Sequence, residues 1–303
     1  MRVVRRRSPV RDWTEYALAL LALKSLELLP LTLAHRLAYG YARLLDLAIP
    51  RLRRVAERNL AFALPDHDSA AVIDGVFRSI GRILVTFARF PSIHRDNLDR
   101  WIRCEGMEHY QAALAAGRGV LFATAHLGNW ELSAFAHAFL AAPMNVVVRP
   151  LDNAYIDRLV ERRRSLSGNR PISKKNSARA ILKALAANEA VGVLIDQNAS
   201  LVDGVFVDFF GAPACAGTGF AKLAARSGAA VIPGFALWSA SEGRFVLRFY
   251  PPAPITGDAQ HDTQVIQAQL EQVIRAYPDQ WLWIHRRWKT QPESSPSLYE
   301  STL

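Results

Sequence analysis

One histidine in the chain stands where acid–base chemistry is possible. In the segment GVLFATAHLGNWELSAF, His126 ends a short apolar run and is followed by Gly128, Asn129 and Glu131. Four residues separate the imidazole from the Glu131 carboxylate. With a glycine in the intervening turn, the carboxylate can reach back to the ring, fix its tautomer and raise its basicity. Such a pair can deprotonate a hydroxyl without a covalent enzyme intermediate. The spacing alone is weak evidence, because eight histidines and 27 acids among 303 residues give about one such pair by chance. A second pair does occur, His94 and Asp99, but SIHRDNLDRW is charged and loop-like and reads as solvated surface. On spacing and composition, a capping or core-satisfied role for His126 stays as open as a catalytic one.

Other chemistries lack their residues. There is no GxSxG nucleophile elbow, no Walker A loop and no GxGxxG turn, so hydrolase and nucleotide-binding readings have no support. No CxxC or HExxH occurs, so no metal-ligand set is expected. Cys104 and Cys215 have no activating neighbours and cannot build a disulfide scaffold, which suits a reducing compartment. Half of the residues are hydrophobic, with 17 glycines and 16 prolines, which excludes collagen-like, low-complexity and wholly disordered classes.

The elements that must position His126 follow from the pattern of apolar residues. Short apolar runs at 119–126, 145–148, 191–196 and 231–237 read as buried strands, and the alternating 244–251 as another. Helices are expected over 69–90, 105–117, 130–140, 152–166, 177–188, 217–227 and 262–276, and WLWIHR (281–286) suits a further strand. Strands alternating with helices predict a single α/β domain over 61–292, with a mostly parallel or mixed sheet flanked by helices. Functional groups then gather at the carboxyl ends of strands, where His126 falls. Residues 293–303 read as a disordered tail.

Charge is distributed unevenly. The chain has 37 basic and 27 acidic residues, a net +10, of which residues 1–60 hold 12 basic and five acidic. That same segment is rich in Leu and Ala. Its uncharged stretch 16–23 ends at Lys24, short of the ~20 apolar residues that a spanning helix needs. Amphipathic helices lying in an anionic membrane interface are the expectation for 1–60, with packing on the domain or a true span as the alternatives. Nucleic acid is not expected, since no stacking or finger motif accompanies the arginines.

Several blocks, taken in order, resemble the bacterial lipid A biosynthesis late acyltransferases of the wider HX4(D/E) glycerolipid acyltransferase group. AHLGNWE is similar to the family's histidine–glutamate block and VVVRPLDN to its Arg-Pro block. AVGVLIDQN resembles the block ending in a DQD-like turn. GVFVDFFGAPACAGTGFAKLAARSGAAVIP, YPDQWLWIHRRWKTQP and IPRLRRVAERNLAFALPD resemble three more, and together they cover roughly residues 10–292. The resemblance implies His126 as general base and Glu131 as its orienting partner. Asn129, Arg149 and Asp196 fall at positions tied to substrate binding or site architecture. A strand-end ion pair for Arg149 and a turn-forming carboxylate for Asp196 are the alternatives. Arg286, Arg287 and Lys289 would hold phosphates or form a solvated basic face, while Trp281, Trp283 and Trp288 suit packing.

The implied reaction moves a fatty acyl chain from an acyl carrier protein or coenzyme A thioester to a hydroxyl of a lipid A precursor. No metal or other cofactor is called for. Expected partners are the carrier protein, anionic inner-membrane lipids and the acceptor lipid, at the cytoplasmic face of the bacterial inner membrane. The protein would be peripheral or shallowly inserted there. Two departures, Asn198 in DQN and the ACAG run that leaves Thr218 as the hydroxyl, leave room for another acceptor lipid. A non-catalytic lipid-binding homologue is the remaining alternative.

Overall fold

Four helices open the chain in the computed structural model, which describes residues 8–175, 177–293 and 298–299. Arg2, Arg5, Arg6, Arg7 and most of the expected tail lie outside the described residues. The helices are α1 (Pro9–Leu28), α2 (Leu31–Ala48), α3 (Pro50–Ala63) and α4 (Ser69–Arg89). Pro9 and Pro50 sit in first turns, where a missing N–H leaves no bond unmade. The Asp68 carboxylate caps α4 by accepting from the Ala70 and Ala71 amides. Buried Ala34 and Ala38 let α2 lie close against α4, where a Cβ on Gly81 would stand 3.3 Å from the Tyr39 nitrogen.

These helices belong to the domain core. Leu23, Leu26, Ala34 and Ala38 share one cluster with Phe122, Phe135 and Phe245, and Ala56 and Leu60 share another with Trp281 and Trp283. Residue 60, where the sequence reading divides the chain, lies inside α3, and the N-terminal helices share these clusters with the rest of the domain. Asp46, buried, accepts from Arg53 at 2.7 Å and Arg43 at 3.1 Å, and both arginines also reach Asp74 on α4. Two of the N-terminal arginines are thus spent on holding α2, α3 and α4 together.

Among the described residues nine strands follow, with six α-helices among them: β1 (Ile102–Glu105), α5 (Met107–Ala115), β2 (Val120–Thr124), α6 (Trp130–Leu140), β3 (Asn145–Val148), α7 (Ala154–Ser165) and β4 (Arg170–Ser173). Next come α8 (Ser177–Ala186), β5 (Ala190–Leu194), β6 (Gly204–Phe209), β7 (Ala212–Gly217), α9 (Gly219–Ser227), β8 (Ala230–Ser239), β9 (Arg244–Phe249) and α10 (Ala259–Ala276). Seven strands form one sheet in the order β1-β9-β8-β2-β5-β3-β4, parallel throughout except for the β8–β9 pair. The fold is α/β with a mostly parallel mixed sheet flanked by helices. Along β2 the side chains alternate: Phe122 joins the cluster of α1, α2, α4 and α6, whereas Leu121 and Ala123 join that of α8 and α9. β2 is central, as its unbroken apolar run requires.

One sequence expectation is corrected. Residues 281–286 are not a strand; only a bridge from Trp281 to Leu127 forms, and the segment then turns. Its tryptophans are core residues whose indole N–H groups all find acceptors: Trp281 on Asp196, Trp283 on the Pro278 carbonyl and Trp288 on the Phe209 carbonyl. Of the expected tail beyond 293, Leu298 and Tyr299 are described. Tyr299 is buried, and its hydroxyl donates to Asn59 Oδ1 at 2.7 Å.

Candidate active site

Strand register brings the site together. Thr124 at the end of β2 pairs with Leu194 at the end of β5, and two residues further along each chain stand His126 and Asp196. The Ile195 amide donates to the Thr124 carbonyl and continues the ladder past the strand ends. His126 Nδ1 is then 2.9 Å from Asp196 Oδ1. Asp196 Oδ2 accepts twice more, from the His126 amide at 2.9 Å and from the Trp281 indole at 2.9 Å. The closing block is fastened to the same turn. The Leu282 amide donates to the His126 carbonyl, and the Gly128 amide donates to the Gln280 carbonyl. Gly128 has φ +61°, and a Cβ there would lie 2.0 Å from the Ala236 carbonyl oxygen, so the turn admits only glycine.

Charge follows from this geometry. Burial pushes the Asp196 carboxyl up, but the His126 ring and three donated hydrogen bonds outweigh it, and its pKa falls to about 2. It is an anion although only 3% exposed. For His126, burial pushes the pKa down and the Asp196 carboxylate, with a smaller field from Glu131, pulls it up; the net shift is upward. A carboxylate only accepts, so Nδ1 carries the proton and Nε2 keeps the free lone pair. The ring is 17% exposed, with the Trp130 indole edge-on at 5.0 Å.

Glu131 does not make the bond expected of it. Its carboxylate accepts from Arg164 on α7, at 2.8 Å to Nε and 2.5 Å to Nη2. From the first turn of α6 it faces α7 across the cavity wall, and it acts on His126 only through its field. The orienting carboxylate is Asp196, which the sequence tied to substrate binding or a turn.

His126 stands at the head of a cavity of about 540 Å³ that runs between the sheet and α6. Phe90, Phe122, Phe135, Met144 and Phe249 make its walls apolar. His137, also in the wall, donates from Nδ1 to the Ala142 carbonyl, and burial pushes its pKa down to about 4, so it adds no charge near neutral pH. The charged lining residues are Glu131, Arg149, Asp152, Arg164 and Lys174. A hydrophobic tube capped by a polarised imidazole can hold an aliphatic chain and act on a group at its end.

Comparison with known proteins places this arrangement. Residues 4–290 match the family of bacterial lipid A biosynthesis acyltransferases. The chain belongs to this family. It is 30% identical over 278 residues to the lipid A biosynthesis lauroyltransferase of Escherichia coli K12, covering 89% of this chain and 90% of that protein. It is 29% identical over 265 residues to the lipid A biosynthesis palmitoleoyltransferase of the same strain, covering 84% and 85%. It is 30% identical over 238 residues to a phosphatidylinositol mannoside acyltransferase of Mycobacterium tuberculosis H37Rv, covering 75% and 72%. The protein is an acyltransferase, and the reading as a non-catalytic homologue is set aside.

The remaining expected residues of the acyltransferase separate by place. Arg149 lines the cavity with a side chain 78% exposed, 3.6 Å from Asp152. Asn129 is enclosed: it is 0% exposed, caps α6 through the Leu132 amide and donates to Thr86 Oγ1. Arg287 is likewise enclosed at 0% exposure, donating to the Cys215 carbonyl and Gln267 Oε1, and burial lowers its pKa to about 10. It ties the closing block to β7 and α10. Arg286 lies over the Tyr299 ring and is not among the residues that line the cavity.

Both sequence departures also have structural roles. Asn198 Nδ2 donates to the Ala199 carbonyl and Thr290 Oγ1 while Oδ1 accepts from the Thr290 amide; an aspartate could not donate to the Ala199 carbonyl. Thr218, buried before α9, donates to the Asp203 carbonyl.

Proposed function

We propose that this acyltransferase moves a fatty acyl chain from an acyl-carrier-protein thioester to a hydroxyl of a lipid A precursor. His126 Nε2 takes the proton of the acceptor hydroxyl as its oxygen attacks the thioester carbonyl carbon. Asp196 keeps the proton on Nδ1 and stabilises the imidazolium that forms, as the carboxylate does in other His-based catalytic pairs. On collapse the carbon–sulfur bond breaks, and the leaving thiolate takes the proton from Nε2. The acyl chain lies in the apolar cavity, where each buried methylene contributes roughly 0.8 kcal/mol. The Glu131–Arg164 pair fixes the wall beside the imidazole and adds to its field.

The observation that carries this reading is the 2.9 Å His126–Asp196 bond at the head of an apolar cavity. Relatives named for lipid A acylation support the acceptor, and the mycobacterial relative keeps a mannosylated glycolipid as the second candidate.

We assign the enzyme to the cytoplasmic face of the inner membrane, held by its N-terminal helices. Val10, Trp13, Leu18, Leu21 and Leu28 of α1 and Leu31, Leu33, Leu44 and Leu47 of α2 are exposed. Arg36, Arg51 and Arg54 are exposed beside them and make no ion pair among the described residues. Among the described residues, no helix is long and apolar enough to cross a membrane. This combination supports binding in the interface with arginines toward anionic head groups.

The test combines purified enzyme, labelled acyl carrier protein and lipid extract, with mass spectrometry of the product. Acylation of a lipid A precursor, lost at least 10³-fold in His126→Ala, is expected. Normal turnover by the alanine variant contradicts the mechanism, and a mannosylated product reassigns the acceptor.

A further inference from the structure

Beyond the cavity mouth the surface changes character. From 171 to 188 the chain has four cations, Lys174, Lys175, Arg179 and Lys183, and no acid. All four are exposed and make no ion pair among the described residues. Beside the strip, Arg170 is matched with Glu189, whereas Arg36, Arg51 and Arg54 of the N-terminal helices share its lack of ion pairs among the described residues. The strip is also ordered by the fold. Ile181, Ala184 and Leu185 bury one face of α8, which turns Arg179 and Lys183, four residues apart, outward in one row. Lys174 lines the cavity, so the row starts at its mouth.

Two features separate this strip from the lipid-facing helices. α8 packs on the opposite face of the sheet from α1, α2 and α6. Among the described residues between 167 and 200 no large hydrophobic side chain is exposed, although Leu166, Leu201 and Val202 flank that stretch, whereas α1 and α2 carry many. A cationic, apolar-free surface suits an acidic protein in water better than a bilayer.

We propose that Lys174, Lys175, Arg179 and Lys183 form the docking surface for an acidic acyl carrier protein, which feeds its thioester arm into the cavity past Lys174. This rests on the acyl-transfer reading above and adds the place from which the donor arrives. The lipid acceptor then enters from the α1 side, so donor and acceptor do not compete for one approach.

The experiment measures the Kd of holo-acyl carrier protein by titration calorimetry, for the full chain and for Arg179→Glu/Lys183→Glu. Transfer from acyl carrier protein and from an acyl-pantetheine thioester, which has no protein to dock, is measured alongside. The variant is expected to bind the carrier at least tenfold more weakly, with a flatter salt dependence and a KM raised only for the protein-borne donor. Carrier binding equal to that of the unmodified chain overturns the proposal. So does a loss confined to anionic vesicles, which would give the strip to the membrane, or an equal loss with acyl-pantetheine. If carrier binding shows the expected loss but no donor supports transfer, the docking surface stands and the acyl-transfer reading fails.

Discussion

Asp196 and Glu131 both act on His126, and the protein holds them in opposite ways. Asp196 is 70 residues away in sequence, buried, and bonded to the imidazole, the His126 amide and an indole. Glu131 is five residues away, more open, and bonded to a guanidinium on another helix. Sequence proximity along a turn therefore lost to strand register. β2 and β5 are neighbours, so residues equally far past their ends meet, whereas α6 begins at Trp130 and its first turn carries Glu131 toward α7. A carboxylate already neutralised by Arg164 is a poor partner for an imidazolium. One whose only directly bonded cation among the described residues is the histidine is a strong one.

That contrast can be broken by substitution. Asp196→Asn keeps the shape but loses the charge and permits the wrong tautomer; kcat should fall about 10³-fold or more, measured in the acyl-transfer assay. Glu131→Gln and Arg164→Gln should each cost about 10–100-fold, as expected for loss of a bond to a charged group. Because they disrupt one pair, the double variant should cost no more than the worse single one. Trp281→Phe removes one donor to Asp196 and should lower kcat by about tenfold or less, the worth of one hydrogen bond, with Tm read in parallel for the packing loss.

Much of the frame was legible from residue pattern. α6 and β3 fall where the apolar runs and Pro143 put them, and α4 lies between Ser69 and the residue before Phe90. The misses have physical reasons. β1 and β4 are four-residue strands at the sheet edges, with the mixed compositions IRCE and RPIS. APACAG in β7 is small and turn-like, yet pairs along its whole length with β6. WLWIHR alternates like a strand, but its indoles are anchored one by one to separate acceptors. In the site, His126 was legible from its place after a buried run. Its partner was not, because the contact depends on which strands are neighbours. The enclosed roles of Asn129 and Arg287 were hidden for the same reason: a polar residue in a matching block reads alike whether it faces substrate or core.

The pH dependence of kcat/KM for Asp196→Asn and Glu131→Gln, measured side by side, tests the pairing most directly. The active histidine is neutral, so kcat/KM should rise with pH through the His126 pKa, which lies above the ordinary imidazole value in the unmodified chain. Removing the Asp196 charge leaves burial dominant, so the acid limb should move well to lower pH while the plateau drops. Glu131→Gln should move the limb less, in the same direction. A larger shift and a larger loss from Glu131→Gln than from Asp196→Asn would contradict the assignment of Asp196 as the carboxylate that orients His126.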